Sequence, residues 1–113
     1  MHELAITQGV VEAVTQRTGS APVARVRLRV GRLAGVVPDA MRFCFELVTA
    51  GTPLEGAVLE FDQPEGRGRC RTCGAEFVLA DPILLCDCGS ADVEVLTGRE
   101  LVVASVVMGE PAS

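Results

Sequence analysis

Cys70-Arg71-Thr72-Cys73-Gly74 and Cys86-Asp87-Cys88-Gly89, with twelve residues between Cys73 and Cys86, form the stretch whose reading decides the fold. A hairpin that brings the two cysteine pairs together presents four thiolates to one ion, and Zn²⁺ asks for a tetrahedron of sulfur at about 2.3 Å. The spacing predicts a zinc ribbon. Phe77, Val78 and Leu79 would form its outgoing strand, and Ile83, Leu84 and Leu85 would return after an Asp81-Pro82 turn. A glycine follows each pair, which fits such knuckles. Four protein ligands leave no open position for water or substrate, so the zinc is expected to be structural. The second pair is C-x-C, one residue tighter than the first, and Asp87 could supply an oxygen if one sulfur fell short. A lone C-x-x-C would also suit a redox dithiol, but two adjacent pairs favour zinc. A module of about thirty residues needs such a staple.

The flanking sequence has a different character. From Leu4 to about Gln16, the residues Leu4, Val10, Val11 and Val14 recur at helical spacing, giving an amphipathic helix. Gly19, Ser20 and Pro22 end it. Val23 to Val30 alternates, with Val26, Leu28 and Val30 on one face and Arg25, Arg27 and Arg29 on the other, as in a half-buried strand. Pro38 and Asp39 suit the first turn of a second helix through Met41, Phe43, Phe45, Leu47 and Val48, which Gly51 ends. Cys44 lies on this helix and reads as a small hydrophobe. Ala57 to Gln63 alternates again, and Pro64, Gly66 and Gly68 break the pattern. Leu101, Val102, Val103, Val106 and Val107 make a nearly continuous apolar, β-branched run expected to be a well-buried strand. The expected fold is α+β: a small α/β-type domain with two helices and a three-stranded sheet, at 1–63 plus 96–113. A zinc-ribbon-like (rubredoxin-like) module at 64–95 interrupts it.

Composition narrows the function. The 113 residues carry ten arginines, no lysine and fifteen acids, for a net charge of −5, which argues against binding a phosphate backbone. Arg67, Arg69 and Arg71 alternate and read as a solvated strand face. No apolar stretch approaches the roughly 20 residues needed to span a bilayer. The start, MHELAIT, has no basic region or long apolar run of a secretory signal, so a cytoplasmic location is expected. In that reducing compartment, five cysteines point to metal or reactive thiols rather than disulfides.

The single histidine is residue 2. The amine of Met1, the backbone nitrogen of His2 and the His2 imidazole make a compact nitrogen set that the amide of Glu3 extends. Ni²⁺ or Cu²⁺, which favour square-planar nitrogen ligation, can use such a set. The initiator methionine is expected to be retained before so bulky a second residue. Glu3 also suits the first turn of a helix, where an acid meets the dipole. A histidine so near a terminus is otherwise a surface group without function. The residues alone leave open a zinc-ribbon module that recognises protein or nucleic acid and has no nickel role.

Met1-His2-Glu3, the segment Met41-Arg42-Phe43-Cys44-Phe45-Glu46-Leu47-Val48, the following Gly51-Thr52-Pro53-Leu54-Glu55-Gly56-Ala57 and the paired cysteines together resemble the HypA/HybF hydrogenase nickel-incorporation proteins. The resemblance spans nearly the whole chain. It implies a nickel metallochaperone that is not an enzyme, with a nickel-binding α/β domain and a structural zinc domain. It implies that His2 is the principal nickel ligand, aided by the Met1 amine and nearby backbone nitrogens and assisted by Glu3. Cys70, Cys73, Cys86 and Cys88 match the zinc ligands, although the C-x-C pair departs from the family's commoner C-x-x-C. The implied partners are a HypB-type GTPase and the precursor of the [NiFe]-hydrogenase large subunit, and some relatives serve urease maturation. Neither nucleic acid nor membrane is an expected partner, and the chain is expected to be a monomer or weak homodimer.

Overall fold

The computed structural model describes residues 2–109. Two helices and six strands follow one another as α1 (Glu3–Thr18), β1 (Val23–Val30), α2 (Pro38–Thr49), β2 (Val58–Asp62), β3 (Gly66–Cys70), β4 (Glu76–Leu79), β5 (Val93–Thr97) and β6 (Leu101–Met108). They form two three-stranded sheets, ordered β2-β1-β6 and β4-β3-β5, so the fold is α+β. The chain divides into two compact units, one of residues 1–28, 36–61 and 102–113 and the other of residues 29–35 and 62–101. No helix among the described residues is long and apolar enough to cross a membrane.

In the first unit, α1 buries Thr7, Val10, Val11 and Val14. Leu4, at the start of the stripe, is half exposed. The acid Glu3 and the base Arg17 occupy the turns where the helix dipole favours them. The helix closes where the Gly19 N–H donates to the Thr15 carbonyl. α2 starts at Pro38, whose missing N–H costs nothing in the first turn. It buries Met41 and Phe45 and leaves Phe43 and Leu47 exposed, with Cys44 half-buried between them. β1 is the central strand and follows its alternation: Val26, Leu28 and Val30 are buried and the intervening arginines exposed. Arg25 pairs with Glu60 of β2 across the solvated face at 2.6 Å.

β6 departs from expectation. It joins the sheet beside β1, but at the sheet's edge and not in its interior. Leu101, Val102, Val107 and Met108 are 40%, 51%, 50% and 45% exposed. An apolar β-branched run is buried on both faces only where layers pack against both faces of its sheet, and the exposure of these side chains shows that β6 is not covered in that way.

The second unit also differs from the simple hairpin. β4 (Glu76–Leu79) contains the expected outgoing strand, but Ile83–Leu85 forms no strand, and Ile83 and Leu85 are exposed. The antiparallel partners of the ribbon are instead β3, β4 and β5, with Arg69 opposite Glu76 and Cys70 opposite Val93. Gly66 and Gly68, which break the strand pattern in sequence, lie inside β3. A Cβ at Gly66 would sit 2.7 Å from the Leu79 carbonyl oxygen and from Leu33 Cδ1, and one at Gly68 2.8 Å from Val93 Cγ1. Neighbouring atoms fill the space that side chains would need, so glycine at these two positions permits the strand. Arg67, Arg69 and Arg71 are half exposed and paired with Glu65, Glu76 and Asp92, which accounts for them as a solvated, neutralised face.

Candidate metal centre

The first knuckle leaves the end of β3. The Cys70 N–H donates to the Ala75 carbonyl at 2.8 Å, the Gly74 N–H to the Cys70 carbonyl at 2.8 Å, and the Cys73 N–H to the Cys70 sulfur at 3.4 Å. The second knuckle repeats the turn in less sequence. The Cys86 N–H donates to the Ser90 carbonyl and the Gly89 N–H to the Cys86 carbonyl, both at 2.9 Å. Gly74 and Gly89 have φ of +80° and +92°, which a side chain would oppose.

These turns aim four sulfurs at one point. Cys70 Sγ lies 3.7 Å from Cys88 Sγ, Cys73 Sγ lies 3.6 Å from Cys86 Sγ, and all four fall within 4.8 Å of one another. Sulfurs at about 2.3 Å from a common zinc stand about 3.8 Å apart along the edges of a tetrahedron, so the donor set and spacing fit Zn²⁺. Each pair contributes one buried sulfur residue (Cys70, Cys86) and one exposed (Cys73, Cys88). The tighter C-x-C loop still delivers both of its sulfurs. Asp87 is exposed and stands outside the group.

Electrostatics split the thiols. The Cys73 backbone N–H, with that of Thr72 and the neighbouring sulfurs, holds the Cys70 thiol down to about 6, against a smaller effect of burial. At Cys86 the Cys88 backbone N–H acts downward, but burial and the sulfurs of Cys73, Cys88 and Cys70 together push the thiol up to about 12. One sulfur is therefore ready as a thiolate at neutral pH and another keeps its proton until a cation displaces it.

Four residues hold the two knuckles together, and three of them, Thr72, Ser90 and Asp92, carry no signal in sequence. Thr72 Oγ1 and Ser90 Oγ are 2.8 Å apart, and the Arg71 guanidinium meets Asp92 at 2.9 Å. The Arg71 N–H also donates to the Asp92 carbonyl at 2.9 Å, and the Asp92 N–H to Ser90 Oγ at 3.1 Å. Partners 18 and 21 residues apart emerge only once β3 and β5 are in register.

The other candidate residues are at the start of α1. His2 is exposed at the N-cap, its side chain makes no capping hydrogen bond, and its carbonyl accepts the Ile6 N–H at 2.9 Å. Glu3 is half-buried at the first helical position. Met1 lies outside the described residues. Among the described residues, the four cysteines are the one group of three or more metal-ligating side chains brought together.

The fold and the sulfur cluster define a small two-unit α+β protein with a tetrathiolate metal site in its ribbon unit. The model of the family described as "Hydrogenase/urease nickel incorporation, metallochaperone, hypA" matches residues 1–108, and the chain belongs to that family. Relatives described as "Hydrogenase maturation factor HypA" include one from Nostoc punctiforme, 46% identical over 97% of both chains. Another, from Geotalea uraniireducens, is 50% identical over 89% of this chain and 93% of its own. In fold, the chain is similar to the solution structure of the Ni metallochaperone HypA from Helicobacter pylori, with a TM-score of 0.67 at 19% identity over 96% of this chain and 97% of that one.

Proposed function

We propose that this protein binds Ni²⁺ through its first residues and delivers it during maturation of a [NiFe]-hydrogenase in the cytoplasm, while a structural Zn²⁺ holds the ribbon. The observation that carries this reading is that the family match runs through both the Met1-His2-Glu3 start and the four cysteines. His2 is the principal nickel ligand, with the Met1 amine and adjacent backbone nitrogens completing a planar set and Glu3 assisting. Residues 1–63 plus 96–113 form the nickel domain and 64–95 the zinc domain. Cys70, Cys73, Cys86 and Cys88 hold the zinc, and their closed four-sulfur set leaves no position for substrate, in keeping with a carrier and not an enzyme.

An exposed site at a helix start lets a partner offer competing ligands without unfolding the domain. The partners are a HypB-type GTPase, which supplies the energy of transfer, and the hydrogenase large-subunit precursor. Urease maturation proteins are the alternative clients.

The test is metal content and nickel titration of three proteins: the chain with a free Met1, His2→Ala, and a chain with two residues added before Met1. Concentration is set by amino-acid analysis, since there is no Trp or Tyr. One zinc in all three with nickel bound tightly by the first alone supports the reading. Equal nickel binding by all three, or by none, removes the N-terminal site and leaves a zinc-ribbon interaction module.

A further inference from the structure

Residues 83–85 read as a strand in sequence and have no strand beside them in the fold. Their side chains still alternate as a strand's do. Ile83 and Leu85 are exposed, while Leu84 between them packs with Phe77 against the buried Cys70, Cys86 and Val93. The Ile83 N–H donates to the Asp81 carboxylate and the Cys86 N–H to the Ser90 carbonyl, both at 2.9 Å. The N–H groups of Leu84 and Leu85 meet no acceptor among the described residues. β4 is an edge strand, paired with β3 alone. Together β4 and this segment line an open groove of about 400 Å³, with the exposed Val78 contributed by β4 and the exposed Ile83 and Leu85 by the segment.

Charge says what such a groove receives. Elsewhere in the ribbon Glu65, Glu76 and Asp92 are paired with Arg67, Arg69 and Arg71. Asp81 and Asp87, which also line the groove and bracket residues 83–85, are exposed and have no cation partner among the described residues. Cys86 lies in the same lining. Four thiolate charges outweigh the two of a bound Zn²⁺, so the metal cluster would add to the negative potential there. A second copy of the segment would set acids against acids, which argues against this chain as its own occupant. Apolar side chains flanked by lysine or arginine match both the exposed aliphatic residues and the two free acids.

We propose that residues 83–85 are the receiving edge for an extended segment of a partner protein, with apolar residues at alternate positions and Lys or Arg at both ends. The segment adds as a strand: its backbone takes up the free amides of the edge, its apolar side chains cover Val78, Ile83 and Leu85, and its cations meet Asp81 and Asp87. So few backbone hydrogen bonds give a weak, salt-sensitive contact, suited to a partner that docks and leaves.

The probe is the acetylated and amidated peptide Lys-Val-Thr-Val-Lys, titrated to about 2 mM into zinc-loaded, ¹⁵N-labelled full-length protein at low salt. Nickel is omitted, so the result does not depend on the N-terminal site. Amide shifts should concentrate in residues 76–87, with a Kd of about 0.1–1 mM, and exchange of the Leu84 or Leu85 amide should slow at least about threefold at saturation. Glu-Val-Thr-Val-Glu and Lys-Ser-Thr-Ser-Lys should each bind at least about threefold more weakly. Asp81→Asn keeps an oxygen for the Ile83 N–H, and together with Asp87→Asn it should weaken the probe at least about threefold, as should Leu85→Ser. Circular dichroism and zinc content check that the variants fold. No binding up to about 2 mM, or shifts centred outside residues 76–87, overturns the proposal. So does equal binding of either comparison peptide, or a variant that folds and binds the probe as the parent does. Binding that leaves exchange at both Leu84 and Leu85 unchanged overturns the strand addition.

Discussion

One added methyl group at Gly31 should cost the ribbon unit about 4 kcal/mol. Gly31 is buried, and its N–H donates to the Glu100 carbonyl at 2.8 Å; two residues on, the Leu33 N–H donates to the Gly98 carbonyl at 2.7 Å. A Cβ on Gly31 would stand 2.1 Å from both the carbonyl carbon and oxygen of Gly98 and 2.7 Å from the Arg99 nitrogen, all backbone atoms. Ordinary contact begins at 3.4 Å, so the 98–99 backbone must retreat by about 1.3 Å. Gly98 is hemmed in as well, since a Cβ built on it would stand 2.6 Å from the Gly66 Cα. Loss of two backbone hydrogen bonds at about 0.5–1.5 kcal/mol each, plus about 1–3 kcal/mol of overpacking, centres on that figure. Urea unfolding of zinc-loaded protein, read by far-UV circular dichroism and by zinc release, should show the ribbon midpoint lowered by about 2 M. Gly35→Ala is the comparison. Gly35 has φ +75° but nothing within 4 Å, so alanine there meets only backbone strain of about 1–2 kcal/mol. A Gly31→Ala protein no less stable than Gly35→Ala would refute the close-contact reasoning.

Met41→Ala should destabilise the first unit by about 2–5 kcal/mol, since Met41 is fully buried, whereas Leu47→Ala on the same helix, at 60% exposed, should change stability by less than about 0.5 kcal/mol in thermal or urea unfolding. Cys88→Ser should lower zinc affinity by more than about 100-fold in chelator competition, although Cys88 is exposed, because it removes one corner of the tetrahedron. Zinc affinity should rise with pH between about 6 and 8, because the proton held at Cys86 up to about 12 must be displaced by the metal, while Cys70 above about 6 is already a thiolate. Below about 6 Cys70 takes up a proton as well, and zinc release on acidification should steepen. Chelator competition at constant ionic strength that gave a flat profile from pH 5.5 to 8 would contradict this.

Much of the first unit was legible in the residues. β1 is read from its valine–arginine alternation because a strand with one solvated face repeats every two residues. α2 is read from Pro38 at its start and the buried Met41 and Phe45 four residues apart. The ribbon was legible at its knuckles but not in its strands. Ile83–Leu85 is apolar enough for a strand, yet the register of β3 with β4 and β5 leaves it no partner. β3 was hidden behind Gly66 and Gly68, whose reason lies in the neighbouring atoms they accommodate. β5 shows only a short alternation, Val93-Glu94-Val95, before Leu96 and Thr97, and Val93 alone is buried.

The sequence by itself determined the four-sulfur cluster, because ligand type and spacing within a knuckle are local properties. C-x-x-C-G and C-x-C-G each close a turn within a few residues and differ little in what surrounds them. Tertiary structure alone decided which surfaces meet. Whether Leu101–Met108 lies inside a sheet or along its rim depends on how many strands flank it, and whether Thr72 reaches Ser90 depends on a register set by contacts distant in sequence. Side-chain hydrophobicity measures the preference for burial, while the pairing of the remaining chain settles whether that burial is available.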